Sequence, residues 1–225
     1  MAHKIFSKKT TWLFDLDNTL YPSNIGIFSQ IDLKMKQFIS NKFKVSEKEA
    51  FIIQKRFYKK YGTTLYGLMK NFDLDPEEFL SFVHNINFNK LKKSYLLQKK
   101  IKALPGKKIL YTNGDSDYAK KILESLGIEK YFYDIFDIRR ANYIPKPMKT
   151  SFNALLKTFN LETSEIVYFD DLNKNLKTAS LKGATTVHIT QDDNYNNSYV
   201  DFRFKTIIIA LDMIIKSLNE DKYKC

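Results

Sequence analysis

The sequence is poor in cysteine, glycine and histidine, and these shortages exclude several kinds of site. The single cysteine among 225 residues is Cys225, so an intrachain disulfide and a thiolate zinc cluster are both excluded. The seven glycines form neither the phosphate-binding loop of nucleoside triphosphatases nor the glycine fingerprint of dinucleotide enzymes. The histidines, His3, His84 and His188, match no metal-ligand spacing, and we expect each at the surface or at a strand end.

Long apolar runs are also missing. No stretch reaches the ~20 apolar residues that cross a bilayer. The first residues, "MAHKIFSKKTTW", lack the apolar segment of a signal peptide. We therefore expect a cytoplasmic protein with no membrane partner. A hydrophobic content of 44% in a chain of this length allows one sizeable core that carries a smaller inserted subdomain.

Acidic residues are outnumbered, 25 against 37 basic ones, which gives a formal net charge of +12. Such a balance is compatible with a basic nucleic-acid-binding module. However, arginine, whose planar fork suits phosphate and base recognition, accounts for only four of the basic residues, and the lysines are scattered along the chain. We therefore interpret the lysines as solvated faces and expect no nucleic acid polymer as partner. A positive field would still speed the capture of a small anionic substrate.

What the chain does contain is an alternation of apolar runs and amphipathic segments. Buried parallel strands are predicted for "TWLFD", "KKILYT" (107–112), "EIVYF" (165–169) and "ATTVHI" (184–189). Helices are predicted over residues 115–126, 148–159, 173–182 and 205–218. This alternation predicts an α/β fold with a doubly wound, Rossmann-like, mostly parallel sheet.

One region interrupts the alternation. From Ile25 to Lys102 there is no convincing strand, and helices are predicted over residues 27–42, 46–60, 75–85 and 89–100. About eighty residues are far more than a connection needs, so we predict an inserted all-helical cap subdomain. The predicted division is a discontinuous core, 1–22 and 103–225, with a cap over 23–102.

Polar residues follow the predicted strands at the edge where parallel sheets bind ligands. They are Asp15 and Asp17 in "LFDLDNTLYP", Thr112-Asn113-Gly114, Lys146 in "YIPKP", and Asp170-Asp171 in "IVYFDDLNKN". Taken singly, each has an ordinary explanation as a turn, a helix start, a surface lysine or an N-cap. Together, carboxylates, a lysine and a hydroxyl make a site for a hard divalent cation such as Mg²⁺ and for a phosphate.

These motifs, in this order, resemble those of the haloacid dehalogenase superfamily of phosphatases. The stretches "DLDNTLYP", "YGTTLYGLM" (61–69), "LPGKKILYTNG" and "FDDLNKN" are similar to its pyrimidine 5′-nucleotidase-like branch. The resemblance implies a magnesium-dependent phosphomonoesterase for a small phosphorylated metabolite, most simply a nucleoside 5′-monophosphate. A sugar-phosphate or pyridoxal-phosphate phosphatase and a phosphomutase stay open as alternatives. A dehalogenase is less favoured, because the family's dehalogenases lack the second aspartate.

The resemblance also implies roles for single residues. Asp15 would be the nucleophile that forms an aspartyl phosphate, and Asp17 the general acid and base. The implied phosphate-binding residues are Thr112, Asn113 and Lys146. The implied metal ligands are Asp15, Asp17 through its backbone carbonyl, Asp170 and Asp171, supported by Asn175.

Two features of the resemblance leave questions open. Leu172 stands where many relatives have a serine. In the predicted cap, Tyr61, Gly62, Thr63 and Thr64, followed by Gly67, either form a turn that faces substrate or merely connect two helices. The sequence leaves open whether the protein is a monomer or a homodimer.

Overall fold

The computed structural model describes residues 5–192 and 197–219, and its centre is a six-stranded parallel sheet. The strands are β1 (Thr11–Phe14), β2 (Lys107–Tyr111), β3 (Asp134–Phe136), β4 (Ile166–Asp170), β5 (Thr185–Ile189) and β6 (Phe202–Phe204). They lie in the order β3-β2-β1-β4-β5-β6, and every neighbouring pair is parallel. The sequence-based prediction of a doubly wound, Rossmann-like sheet is confirmed.

Helices surround this sheet and fill the interval between its first two strands. They are α1 (Ile27–Phe43), α2 (Glu47–Tyr61), α3 (Thr64–Asn71), α4 (Pro76–Val83), α5 (Tyr95–Ala103), α6 (Ser116–Leu126), α7 (Lys149–Phe159), α8 (Asn173–Ser180) and α9 (Ile207–Asn219). Short 3₁₀ turns lie at Ser23–Ile25, Glu129–Tyr131 and Thr163–Glu165. Helix α2 begins at a capping box, in which Ser46 and Glu49 satisfy each other's backbone N–H groups.

The sheet is buried on both faces because successive side chains of each strand point to opposite sides. Trp12 and Phe14 pack on one face, where the Phe14 ring stacks on Phe169 with 4.7 Å between centroids. Leu13 packs on the other face together with Tyr168. Such strands are continuously apolar, which is why the sequence predicts β1, β2, β4 and β5 well.

The strand order reverses at β1, and this reversal creates a crevice. Phe14, at the end of β1, is level with Leu110 of β2 on one side and with Phe169 of β4 on the other. The residues that follow these three strands therefore lie side by side at the carboxyl edge of the sheet. Open parallel sheets bind ligands at such a switch point.

Helices α1 to α4, called the insertion helices below, pack mainly on one another, with α1 against α2 and α4, and α2 against α3. Helix α5 packs instead against α9, and Lys100 forms an ion pair with Asp212 there. The main chain before α5 is also attached to the sheet layer, because the Ser94 N–H donates to the Leu126 carbonyl at 3.2 Å.

Several elements differ from the sequence-based expectation. The three-residue strands β3 and β6 and helix α3 were not predicted. The helix expected over 89–100 begins only at Tyr95, because the Ser94 side chain caps it by accepting from the Leu97 N–H. His3, Cys225 and part of the polar loop expected over 191–199 lie outside the described residues. Across ranges 5–192 and 197–219, no helix has the length and apolar character needed to span a bilayer.

Candidate active site

Asp15, Thr112 and Asp170 meet at the carboxyl edge of the three central strands. Asp15 directly follows β1, Thr112 follows β2, and Asp170 is the last residue of β4. The Asp15 N–H donates to the Phe169 carbonyl at 2.9 Å, which extends the ladder by one residue and fixes the direction of the Asp15 side chain. All three side chains are buried. The structure thus brings together three residues that are far apart in the sequence, at the strand ends where they were expected.

Lys146 lies between the carboxylates of this edge. Its ammonium donates to Asp15 Oδ1 at 2.5 Å and to Asp170 Oδ2 at 3.0 Å, and only 2% of the side chain is exposed. Burial alone would lower the pKa of Lys146, but the charges of Asp15 and Asp170 raise it above the usual value. Lys146 is therefore a permanently charged partner for these groups.

A third carboxylate, Asp171, completes an acidic cluster. Oxygen atoms of Asp15, Asp170 and Asp171 all lie within 4.8 Å of one another. Burial and the neighbouring carboxylates raise the pKa of Asp171 to about 8, and burial raises the pKa of Asp15 to about 7 against the opposing charge of Lys146. One ammonium does not balance three carboxylates at such distances, and an all-oxygen donor set of this kind fits a hard divalent cation.

Asp170 is held by groups that fix both of its oxygens. The Asn175 amide donates to them at 2.9 and 3.1 Å, and the Tyr168 hydroxyl donates to Oδ2 at 2.5 Å. The Leu172 N–H donates to Oδ1 at 2.8 Å. The contribution of Leu172 comes from its main chain, so the departure from serine at this position leaves the support of Asp170 intact.

Asp17 occupies a different environment from the acidic cluster, which does not include its carboxylate. Two buried hydroxyls, those of Tyr21 and Tyr118, donate to Asp17 Oδ1. Burial raises the pKa of Asp17, and the two tyrosine hydrogen bonds oppose this rise. Asp15 and Asp17 thus line one cavity with different partners, an ammonium for the first and phenols for the second.

Thr112 and Asn113 have structural partners of their own. The Thr112 hydroxyl oxygen accepts from the Gly114 N–H at 2.9 Å. The Asn113 amide pairs with the main chain of Lys146, accepting from its N–H at 2.9 Å and donating to its carbonyl at 3.4 Å. The side chain of Asn113 therefore positions the segment that carries Lys146.

The carboxylates open into a cavity of about 330 Å³ that lies between the sheet edge and the insertion helices. Of the predicted cap residues, Gly62, Thr63 and Thr64 line this cavity, and Tyr61 is not among its lining residues. The Tyr61 hydroxyl instead donates to Asn71 at 3.3 Å. Gly67 lies inside α3, where a Cβ atom would come within 2.4 Å of Phe57 Cβ, so its role is close helix packing.

Sequence patterns do not predict the positions of some residues at the site. His84 was expected at the surface or at a strand end, but it lies at the end of α4 and lines the cavity. Its ring stacks on Tyr118, with 4.3 Å between centroids, and contacts Asp115. His188 is buried and is the penultimate residue of β5, so it lies near a strand end as expected. Tyr118 was expected only as an apolar helix position. No local spacing signals the contact of His84 with Tyr118, because the two residues belong to separate elements.

The sequence matches the haloacid dehalogenase-like hydrolase family over residues 10–180. It is 25% identical over 224 residues to phosphate metabolism protein 8 of Saccharomyces cerevisiae; the match covers 88% of this chain and 65% of the yeast protein, so the chain spans less than two-thirds of that relative's length. The fold is similar to that of an HAD phosphatase from Thermococcus onnurineus, with a TM-score of 0.61, 20% identity, and 95% and 98% of the two chains covered.

An L-2-haloacid dehalogenase from Xanthobacter autotrophicus, solved with chloropropionic acid covalently bound, is nearly as similar in fold. Its TM-score is 0.60 at 11% identity, with 92% of this chain and 98% of that chain covered. At such identities the likeness concerns the fold alone. A phosphatase and a dehalogenase share this fold, so the side chains of the cavity must distinguish the two activities.

Proposed function

Because the chain belongs to the haloacid dehalogenase-like hydrolase family, we propose that it is a magnesium-dependent phosphatase of small phosphomonoesters. The observation that carries this proposal is that two carboxylates line one cavity and are bound by different partners. Asp15 is bound by Lys146, and Asp17 is bound by the hydroxyls of Tyr21 and Tyr118. A halide needs no proton to depart, whereas the oxygen of a phosphoester does, so a second carboxylate is expected of a phosphatase.

The proposed reaction has two steps. First, an Asp15 carboxylate oxygen attacks phosphorus, the bond from phosphorus to the ester oxygen breaks, and Asp17 gives its proton to that oxygen. Second, Asp17 takes a proton from water, whose oxygen attacks the aspartyl phosphate and releases inorganic phosphate and the Asp15 carboxylate. The raised pKa of the buried Asp17 carboxyl supports its role as proton donor.

Lys146, Thr112 and Asn113 are the proposed phosphate-binding residues. Lys146 already contacts Asp15 Oδ1 at 2.5 Å, so its charge would lie beside both the nucleophile and the transferring group. The Asn113 side chain is engaged with the Lys146 main chain, so we propose that Asn113 contributes its main-chain N–H.

Mg²⁺ is the proposed cofactor. The carboxylates of Asp15, Asp170 and Asp171 would hold it together with the main-chain carbonyl of Asp17, and their mutual spacing within 4.8 Å suits an oxygen-liganded cation. When bound, the ion would supply the positive charge that lets a phosphate dianion lie among carboxylates. Asn175 would keep Asp170 oriented, as outer partners of metal ligands do.

We further propose a nucleoside 5′-monophosphate as substrate and membership of the pyrimidine 5′-nucleotidase-like branch. The motif similarities support the branch, and a cavity of about 330 Å³ is of a size that small metabolites fill. The name of the yeast relative refers to phosphate metabolism, which supports phosphate chemistry. Sugar phosphates, pyridoxal phosphate and phosphoryl transfer by a mutase are the alternatives, and the insertion helices would act as a cap over any of these substrates.

The test is phosphate release from a panel of nucleoside monophosphates, sugar phosphates and pyridoxal phosphate, with Mg²⁺ and with excess EDTA. We expect turnover that requires Mg²⁺ and falls at least about a thousandfold in Asp15→Asn. The matched control is Asp73→Asn, an exposed aspartate of the insertion, which should keep wild-type turnover. Full activity in EDTA, or ordinary turnover by Asp15→Asn, would disprove the proposal.

A further inference from the structure

Gln54 is a buried glutamine of α2 that lines the cavity and has an unused hydrogen-bond acceptor. Its side chain is 1% exposed. Within ranges 5–192 and 197–219, no residue donates a hydrogen bond to Gln54 Oε1. Folded proteins rarely leave a buried side-chain oxygen without a donor, because the loss of hydration then goes uncompensated.

The orientation of the Gln54 amide is fixed by its other end. Nε2 donates to the Asp32 carbonyl at 3.1 Å and to Asp32 Oδ1 at 2.8 Å. Lys55 also donates to Asp32 Oδ1, at 2.6 Å, so this oxygen already acts as an acceptor. A reversed amide would place Oε1 against two acceptors. The end of the Gln54 amide that does not contact Asp32 is therefore its carbonyl oxygen, Oε1, which is an acceptor.

The lining of the cavity as a whole is mostly apolar. Ile31, Leu65 and Leu80 line the same cavity and are each at most 5% exposed. The proposed phosphate-binding residues lie at the sheet edge, so the part of the cavity lined by the insertion helices is suited to an organic group with a hydrophobic body. In such a pocket a single placed acceptor selects strongly, because a ligand without the matching donor leaves the acceptor unpaired.

We infer that Gln54 is a specificity-determining residue, and that its Oε1 accepts a hydrogen bond from an N–H or O–H group on the alcohol part of the substrate. This inference rests on the proposed phosphatase function and extends it by naming a required feature of the leaving group. A heterocyclic N–H and a sugar hydroxyl share this donor chemistry.

The experiment compares uridine 5′-monophosphate with p-nitrophenyl phosphate, whose organic group carries no N–H or O–H. In Gln54→Met, the ratio of the two kcat/KM values should fall at least about tenfold relative to the wild type. The matched control is Gln30→Met in α1, because both ends of Gln30 are paired with the main chain of Asn87. Its ratio should equal that of the wild type.

A second measurement needs no variant. Wild-type enzyme is given uridine 5′-monophosphate, its N3-methyl derivative and its 2′,3′-dideoxy derivative. We expect one of the derivatives to lose at least about tenfold in kcat/KM, which identifies the donor as the base or the sugar, and Gln54→Met to abolish that difference.

Two results would overturn the inference. If wild-type enzyme releases phosphate from both esters but neither the variant nor the derivatives change the ratio, the assignment of Gln54 fails while the phosphatase function stands. If wild-type enzyme releases phosphate from none of these compounds under Mg²⁺, the proposed function fails and the inference falls with it.

Discussion

Asp171 shows how an arrangement suited to a cation affects the stability of the metal-free protein. Burial and the charges of Asp15 and Asp170 raise its pKa to about 8. A carboxyl group with a raised pKa stabilises the folded state fully at low pH, below its unfolded pKa. This stabilisation is lost as the pH rises toward the folded value. At neutral and alkaline pH, the Asp171 carboxyl group should therefore destabilise the folded state of the metal-free protein.

We predict that Asp171→Asn stabilises the metal-free protein, because asparagine resembles the protonated acid at every pH. In EDTA at about pH 8, the free energy of unfolding should rise by at least about 1 kcal/mol, or roughly 2–4 °C in Tm. The gain should shrink as the pH falls toward about pH 3, which is below the unfolded pKa, because Asp171 is then protonated in both states. Thermal unfolding at several pH values measures this effect.

The control for Asp171 is again Asp73→Asn, which removes an exposed carboxylate. Its effect should be small and nearly independent of pH. A stabilisation by Asp171→Asn that is equal at low and high pH would contradict the electrostatic explanation and indicate a packing effect. The same variant should weaken magnesium binding, since it removes one of the proposed ligands.

Local sequence patterns predict some residues of the site and not others. The positions of the paired aspartates and Asp170 could be predicted because they lie at or just after a strand end, whereas Lys146 lies about ten residues after β3 and was proposed from the order of the motifs. Tyr118 could be placed on the buried face of a helix, but a periodic pattern does not show that its hydroxyl reaches Asp17. Gln54 and His84 reach the cavity only through packing between distant segments, which no spacing encodes.

Helix α4 connects the insertion helices to the sheet layer through Glu77. Arg139 donates to both Glu77 oxygens, with Nε–Oε1 and Nη2–Oε2 distances of 2.9 and 2.7 Å. The Tyr143 hydroxyl donates to Oε1 at 2.7 Å. The hydrogen bonds from Arg139 lower the pKa of Glu77, against the effect of its slight burial. A two-pronged guanidinium contact of this kind restricts geometry more than a single ion pair does.

We predict that Glu77→Ala weakens closure of the insertion helices over bound substrate. The kcat/KM for uridine 5′-monophosphate should fall about two- to tenfold, because the bound state loses contacts that stabilise it. The neighbouring Glu78→Ala is the matched control: Glu78 pairs with Lys42, at 2.6 Å, within the insertion helices. Equal losses in both variants would show that the contact with Arg139 has no special part in closure.

The helices and strands differ in how well the sequence predicts them, for physical reasons. Strands β1, β2, β4 and β5 are buried on both faces and read as apolar runs. Strands β3 and β6 have three residues each and lie at the edges of the sheet, so their pattern is too short to recognise. The sequence does not predict helix α3, because Gly62 and Gly67 indicate a turn, although Thr63 is a helix cap.

The position of α5 bears on where the predicted cap over 23–102 ends. This helix packs against α9 rather than among the insertion helices. From this packing we propose a shorter cap that ends before α5, with α5 belonging to the sheet layer. Sequence alone could not draw this boundary, because α5 has the same amphipathic character as its predecessors and a clear break appears only at Leu104-Pro105-Gly106.

Three of the four arginines, the residues best suited to bind a phosphate backbone, have partners within the protein. Two of the four arginines are engaged in intramolecular ion pairs, Arg139 with Glu77 and Arg140 with Asp134 at 2.8 Å. Arg56 lies over the ring of Phe57, 5.3 Å from its centroid. Guanidinium groups occupied in this way are poorly placed to bind a phosphate backbone.

We predict that a 5′-phosphorylated oligonucleotide is a much poorer substrate than a nucleoside 5′-monophosphate. The carboxylates proposed to react open into a cavity of about 330 Å³ whose lining includes residues of α1, α2, α3 and α4, so a closed site has little room for a second nucleotide. At equal concentration and moderate salt, phosphate release from 5′-phosphorylated oligouridine should be at least about a hundredfold slower than from uridine 5′-monophosphate. Release must be scored rather than binding, because lysines will attract any polyanion at low salt. Faster release from the oligonucleotide would mean that the insertion helices do not enclose the substrate and that the basic surface takes part in the reaction.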